Sequence, residues 1–325
     1  MINSEIYPLL NALSRLEVIR ISVDFKPRRD LGQKAWVGAA VRNRFLYAAE
    51  QIKMPEGDSL RERLDRLWLK EEHFLYKQLC GGFPKGYLLD VSELPFNGNE
   101  FCMTTSERYR ISILLMGRLV ELQPYVISAV NVMLESGLGQ PCVPLDLMCL
   151  SVSQPFCLSD FDELTFDCDT EVRLCLKTPV ALTRPTDDYS SGYQSRLNGF
   201  PSFYQWMSAV TYRLSTLAVL YAENGLQDIR TKGEWETCME SFIAQSVRSW
   251  LTNADIEYVS LRSTPKRGVN NVYVMSGYVG TITYSRVLPE YIPLLRMMSE
   301  LSIGNDVNFG LGKYRVYFWR STAIE

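Results

Sequence analysis

Ser302-Ile303-Gly304-Asn305-Asp306-Val307-Asn308-Phe309-Gly310-Leu311-Gly312-Lys313-Tyr314-Arg315-Val316 sits between a helical stretch, Pro289 to Leu301, and a β-prone one, Tyr314 to Trp319. Glycine is favoured where φ must be positive or where another backbone must come close. A loop offering backbone N–H groups beside Lys313 and Arg315 suits a phosphate. No Gly-Lys-Ser/Thr follows, which excludes a Walker loop, and the loop enters a strand instead of opening a helix, which excludes a dinucleotide fingerprint. The plain alternative is a tight helix-to-strand turn.

Working back from the loop, the pattern repeats. Leu115-Met116-Gly117-Arg118-Leu119 is followed by Pro124-Tyr125-Val126, a helix, and Ser136-Gly137-Leu138-Gly139. Tyr278-Val279-Gly280-Thr281-Ile282 is followed by Pro289, Tyr291-Ile292, a helix, and the glycine loop. Strands are expected at Val18–Phe25, Tyr87–Val91, Tyr109–Leu122 and Leu145–Val152. In the second half they are expected at Glu171–Leu182, Ile256–Leu261, Val272–Tyr284 and Tyr314–Trp319, the middle two joined across Asn270-Asn271. Helices are expected from Ile6 to Leu16, Val37 to Ile52, Arg61 to Gln78 (a helix or a set of helical turns), Pro124 to Leu134, Phe203 to Tyr221 and Trp235 to Leu251. In the second of these Val37, Val41, Phe45 and Ala48 keep helical spacing. Each copy therefore gives strand–helix–strand–strand–helix–strand, the split βαβ unit. The expected class is α+β with two tandem ferredoxin-like domains, an N-terminal half over 1–160 and a C-terminal half over 161–325 that carries the glycine-rich loop.

Lysine and arginine total 34 against 37 aspartates and glutamates, a net charge of -3 that argues against wholesale coating by nucleic acid. Local charge decides more. Lys26, Arg28, Arg29, Lys34, Arg42 and Arg44 fall close together, and Asp160, Asp162, Glu163, Asp167, Asp169 and Glu171 form an acidic run. The eight cysteines include no Cys-x-x-Cys pair, and one histidine leaves little to build a zinc site from, so buried thiols are the expectation. Met1-Ile2-Asn3-Ser4-Glu5 lacks the start of a signal peptide, and no stretch is apolar enough to span a membrane. A cytoplasmic protein with reduced cysteines is expected.

The stretch Gly304–Val316 resembles the C-terminal glycine-rich signature of the CRISPR-associated RAMP-superfamily endoribonucleases that process precursor CRISPR RNA. Gly38-Ala39-Ala40-Val41-Arg42, Tyr76-Lys77-Gln78-Leu79 leading into Lys85-Gly86-Tyr87-Leu88-Leu89, and Leu115-Met116-Gly117 support it, so the resemblance extends over nearly the whole chain. It implies metal-independent, cofactor-free cleavage of CRISPR repeat RNA. A base takes the 2′-OH proton, the 2′-oxygen attacks phosphorus, an acid protonates the leaving 5′-oxygen, and cations hold the phosphorane charge. It also implies partners: repeat RNA, subunits of a CRISPR effector complex, or a second copy of the chain as a homodimer.

Members of the family carry a histidine near the first helix or before the C-terminal loop. Gly32 to Glu50 has none here, the loop is preceded by Ser302, and His73 is the only histidine. His73 is a candidate base, since imidazole titrates near neutrality, and a surface helix-end residue beside Glu71 and Glu72 is the alternative. Lys34 and Tyr47 are candidate proton-transfer groups. Arg42 and Arg44 are candidates to stabilise transition-state charge, and being two apart they leave a helix on different faces. Candidate RNA contacts are Arg28, Arg29, Lys266, Arg267, Gly304, Gly310, Gly312, Lys313 and Arg315, with Phe309 and Tyr314 as stacking platforms. Two other readings remain at this point: a non-catalytic RNA-binding subunit, favoured by the missing histidine, and a metabolite-binding protein with tandem ferredoxin-like halves. If RNA is the ligand, affinity for a structured repeat should fall steeply with salt. Each phosphate contact removed by mutation should flatten the log–log slope by about 0.7–0.9. Filter binding across a salt series checks this; salt-independent affinity rejects it.

Overall fold

Alternation sets the two sheets of this computed structural model, which describes residues 7–69, 71–79, 83–95, 100–161, 170–182, 200–223, 231–262 and 274–320. Strand β7 (Thr170–Val180) buries Thr170, Val172, Leu174 and Leu176 and turns the residues between them outward, the period-two pattern of a sheet with one covered face. Strand β1 (Val18–Pro27) loses that contrast because both of its faces are covered: Ile19, Ile21, Val23, Asp24 and Phe25 are all buried.

The first sheet has the order β3 (Tyr87–Asp90), β5 (Tyr109–Met116), β1, β6 (Leu145–Val152). The second has the order β10 (Tyr314–Arg320), β7, β9 (Val274–Val287), β8 (Trp250–Arg262). All neighbours are antiparallel. In both sheets the fourth strand in sequence lies beside the first, followed by the third and the second. Helices α2 (Val37–Gln51) and α5 (Gln123–Ser136) make the crossings of the first sheet. Those of the second are made by α6 (Phe203–Tyr221) with α7 (Lys232–Ile243), and by α8 (Ile292–Leu301). This is the tandem ferredoxin-like α+β fold that the internal repeat predicts. Short elements complete it: α1 (Tyr7–Ser14), α3 (Leu60–Asp65), α4 (Tyr76–Leu79), and a two-stranded ladder of β2 (Leu31–Gln33) and β4 (Phe101–Met103) that the sequence did not announce. One buried apolar cluster runs through both sheets. Among the described residues no helix is long and apolar enough to cross a membrane.

Several boundaries differ from expectation for local reasons. Of the two forms expected over Arg61–Gln78, one helix or a set of helical turns, the structure has the second, two short helices with turns between them. Ser59 and Glu62 close the start of α3 with a capping box, and the chain turns extended at Arg66. Leu67-Trp68-Leu69 then supplies three consecutive apolar residues, which one helical face cannot bury together. The helix expected to reach Leu251 ends at Ile243, because Trp250 and Leu251 pair with Ser285 and Tyr284 and so begin β8. The strand expected to run to Leu122 stops at Met116, since Gly117 adopts φ +51 and starts a 3-10 turn. The Asn270-Asn271 junction lies outside the described residues.

The glycine loop departs most from its sequence reading. Gly310 and Gly312 do take positive φ, +78 and +81. Their N–H groups, however, donate inward, to the carbonyls of Val307 and Pro179 at 2.9 Å each. A Cβ on Gly312 would lie 1.9 Å from the Ile303 carbonyl oxygen, and one on Gly310 would lie 2.5 Å from Val91 Cγ2. The expected cradle of phosphate-facing N–H groups at these two glycines is therefore replaced by internal packing. The loop's entry is fixed by Arg213, a buried α6 residue that donates to the carbonyl of Leu301, the last residue of α8. A cation there complements the negative end of the helix dipole.

The two sheets are tied by buried charge. Lys313 Nζ lies 3.2 Å from both Asp90 Oδ2 and Glu300 Oε2. Arg20 on β1 reaches Asp90 at 3.5 Å and also bonds Glu300. Burial pushes the Asp90 carboxyl up, but Lys313, the Ser92 hydroxyl and N–H, and Arg20 together outweigh it and hold the pKa below its ordinary 3.8.

Two outcomes are expected. Asp90 is depressed in the folded state, so its contribution is present above the unfolded carboxyl pKa and is lost as pH falls through the folded one. Stability in urea should decline below about pH 4, and Asp90→Asn should remove part of that slope. Lys313→Ala, which leaves the buried Asp90 carboxylate only Arg20 and Ser92, should cost up to about 3–5 kcal/mol. Separately, a Cβ on Gly38 would sit 2.0 Å from the Phe309 carbonyl oxygen, whereas one on Gly233 would meet open space. Gly38→Ala should therefore destabilise by about 1–3 kcal/mol and Gly233→Ala should not, as read by paired thermal melts.

Candidate functional site

The first turns of α2 meet the glycine loop. Burial of Val37, Val41 and Phe45 fixes the helix face, and Gly38 lets the backbone of Phe309 close in. The indole N–H of Trp36 donates to the Phe309 carbonyl at 2.6 Å. One turn further on, the Arg42 guanidinium lies 4.5 Å from the centre of the Phe309 ring. That contact contributes about 0.5–2 kcal/mol and leaves the cation's charge uncancelled. Nearby, Tyr87 on β3 packs its ring 6.1 Å from that of Phe45. Its buried hydroxyl has no hydrogen-bond partner among the described residues. Burial and the Asp65 carboxylate raise its pKa, while Arg42 and Arg61 oppose them, so the group stays protonated and can only donate or accept as a phenol.

The sequence-level cationic cluster divides. Arg42 alone of its members joins the C-terminal loop. Arg44 leaves the opposite side of α2 and bonds Cys142, and Arg29 lines an open cleft of about 320 Å³ with Gly139 and Gln140. Arg28 pairs with Asp146 at 2.8 Å on the surface. These three thus gather around the first sheet's helix-to-strand turn, the counterpart of the glycine loop. Lys34 is 3.9 Å from Glu100 and lines a second open cleft of about 660 Å³ with Gln33 and Phe101. Tyr47 is 55 % exposed on α2.

His73 follows α3 and packs toward the second half of the chain. Its Nδ1 accepts the Leu75 N–H at 3.3 Å, its ring stacks on Phe74, and Phe74 in turn contacts Trp235 on α7. The lone pair a base would use is thereby engaged. Lys313 is buried in its ion pairs and not open to solvent as a free phosphate ligand, a correction to its sequence reading, whereas Arg315 is exposed on β10. Tyr314, expected as a possible stacking platform, is fully buried and donates its hydroxyl to the Leu295 carbonyl. Gly304 takes φ +87 against Ala181. Lys266 and Arg267 lie outside the described residues. Sequence reasoning missed Trp36, Tyr87 and Asp90. The signal for Trp36 was its place just before a glycine-containing helix start, Tyr87 lay within a motif of the resemblance with no role attached to it, and Asp90 carried none.

A sequence model of the family described as CRISPR-associated endoribonuclease Cas6 matches residues 174–314. No curated protein matches the chain. Among solved structures, a partial Cas6-RT-Cas1–Cas2 complex aligns with a TM-score of 0.61 at 12% identity over 95% of this chain, which spans 47% of the matched one. A Cas6 product complex aligns at 0.56 and 11% identity, covering 93% of this chain and 99% of that one. Cas6 from Thermus thermophilus aligns at 0.51 and 10% identity with the same two coverages. At these identities the structures speak to the fold. The resemblance of this chain to the CRISPR-associated RAMP-superfamily endoribonucleases is therefore specifically to Cas6, in sequence over residues 174–314 and in fold over nearly its whole length.

Proposed function

We propose that the chain binds CRISPR repeat RNA and cuts it without a metal, processing precursor CRISPR RNA. The observation that carries this reading is the meeting of Arg42 and Phe309, where α2 and the glycine loop bring a cation with no ion pair among the described residues to a half-buried aromatic ring. In the proposed reaction the 2′-oxygen forms a bond to the adjacent phosphorus while the bond from phosphorus to the 5′-oxygen breaks. The 2′-OH proton passes to a base and the leaving oxygen takes one from an acid, giving a cyclic phosphate and a 5′-hydroxyl. Arg42 is assigned to the charge that builds on the phosphorane oxygens, bidentate if both guanidinium edges are used. Lys34 and Tyr47, both exposed beside or on α2, are assigned as the groups to test for proton transfer. Arg44 is assigned to RNA backbone contact with Arg28 and Arg29, since all three lie around the first sheet's turn.

The second reading, a non-catalytic RNA-binding subunit of a CRISPR effector complex, is favoured by one observation: α2 carries no histidine and the lone pair of His73 is taken by Leu75.

Single-turnover cleavage of labelled repeat RNA in excess chelator tests both. Cleavage should persist in chelator and vanish with a deoxynucleotide at the scissile position. Arg42→Ala should slow it by about 10²-fold or more, and His73→Ala should leave it within a few-fold. Abolition by His73→Ala with affinity intact would make His73 the base. No cleavage by the unmodified chain, with RNA still bound, would move the assignment to the non-catalytic subunit.

A further inference from the structure

The second sheet has one face under helices and a second face that is exposed along β10 and β7, with Thr283 and Ser285 of β9 buried on it. Tyr314, Val172, Leu174, Ile282 and Tyr284 point to the covered side, where the Trp206 ring of α6 meets Tyr314 edge-on. The register sets the open side. Arg315 lies opposite Cys175, Cys175 opposite Thr281, and Thr281 opposite Asp255, so these four form one row across the sheet. The next row is Tyr317, Arg173, Thr283 and Asn253. Trp319 follows on β10.

Two properties of this face go together. Along β10 and β7 it is cationic and aromatic. Arg173, Lys177 and Arg315 are exposed, Tyr317 is 47 % exposed and Trp319 is 36 % exposed. The Arg173 guanidinium lies 5.1 Å from the Trp319 ring centre. Among the described residues Glu171 is the carboxylate on these two strands, and it accepts the Ser285 hydroxyl at 3.1 Å. Along β8 the face is acidic, with Asp255 and Glu257 exposed. A polyanion is thus attracted to the β10–β7 half and repelled from the β8 half, which gives it a direction to lie in. Exposed rings at alternate positions of a strand, flanked by cations, are what successive unstacked bases with a phosphate backbone require. An apolar protein segment would need a face without uncancelled cations.

We propose that the β10–β7 half of this open face binds single-stranded RNA, with bases stacking on Tyr317 and Trp319 and phosphates on Arg315, Arg173 and Lys177. It is separate from the Arg42–Phe309 site. Arg173, Arg315, Tyr317 and Trp319 fall outside residues 174–314, the stretch shared with the family. The proposal deepens the RNA-binding reading and rests on it, yet it concerns unstructured RNA and no cleavage step.

Oligouridine labelled with fluorescein is the probe, because it has neither repeat sequence nor hairpin. Anisotropy titration should show affinity reduced about tenfold or more in the Tyr317→Ala/Trp319→Ala double variant, and largely restored in Tyr317→Phe/Trp319→Phe, which keeps two π-faces. Arg315→Glu with Lys177→Glu, which leaves the rings untouched, should weaken binding and flatten its salt slope; this pair decides the matter if the alanine variant melts early. Crosslinks from 4-thiouridine oligomers should fall on the peptides of β10 and β7. Affinity within twofold in both the alanine and the glutamate variants, or crosslinks confined to α2 and the glycine loop, would overturn the proposal. So would a concentration-dependent dimer that the alanine variant abolishes, since the face would then be an interface between copies. Cleavage of repeat RNA is scored separately. Its absence with oligouridine still bound to β10 would sink the catalytic reading and leave this one. Intact cleavage with no effect of the face variants would do the reverse.

Discussion

Everything near the glycine loop is placed by a buried charge pair, Asp90 with Lys313. Asp90 ends β3 in the first sheet, and Lys313 precedes β10 in the second. Neither can be buried alone without an electrostatic penalty of several kcal/mol. The pair, joined by Arg20 and Glu300, is satisfied only when both sheets stand in one relative position. Desolvation offsets much of what such a network gains, so its weight lies in choosing that position more than in adding net stability. Phe309 sits four residues before Lys313 in the same loop. The placement that satisfies Asp90 is therefore also the one that sets Phe309 beneath Arg42.

The fold was readable because two local signals repeat. Strand alternation and the 3.6-residue spacing of α2 depend on near neighbours in sequence, and the glycine pattern marks equivalent turns twice. Boundaries were less readable. Whether Trp250-Leu251 ends a helix or starts a strand is decided by Ser285 and Tyr284, which lie in another part of the chain. The need for positive φ at Gly310 and Gly312 could be read from residue type. What fills the space beside them could not, because Ile303, Pro179 and Val91 are brought there by tertiary packing. Asp90 looked like any carboxylate at a strand end.

The candidate site was half readable. Arg42 was in the sequence-level cluster, but the cluster itself was an artefact of counting along the chain. Successive helix positions turn by 100°, so Arg42 and Arg44 face different neighbours, and the chain before α2 carries Arg28 and Arg29 to the first sheet's turn, beside Arg44, and Lys34 to the cleft at Glu100. A single basic patch became three small ones, each with its own acidic or apolar surroundings. Net charge near zero hides this, since what a ligand meets is the local field.

The distance in sequence between Asp90 and Lys313 has a consequence for synthesis. On the ribosome Asp90 emerges first, and its partner follows only after most of the second sheet has been made. At about 5–20 residues per second the wait is on the order of tens of seconds. For that interval the end of β3 holds a carboxylate poised for burial with no cation from the glycine loop to meet it. The first sheet must remain hydrated along that edge while β7, α6 and β9 are translated, and it closes only when β10 arrives to pair with β7. A nascent chain halted before Lys313 would thus present a wet seam, its Asp90 carboxylate facing Arg20 alone, where the finished molecule has a sealed one.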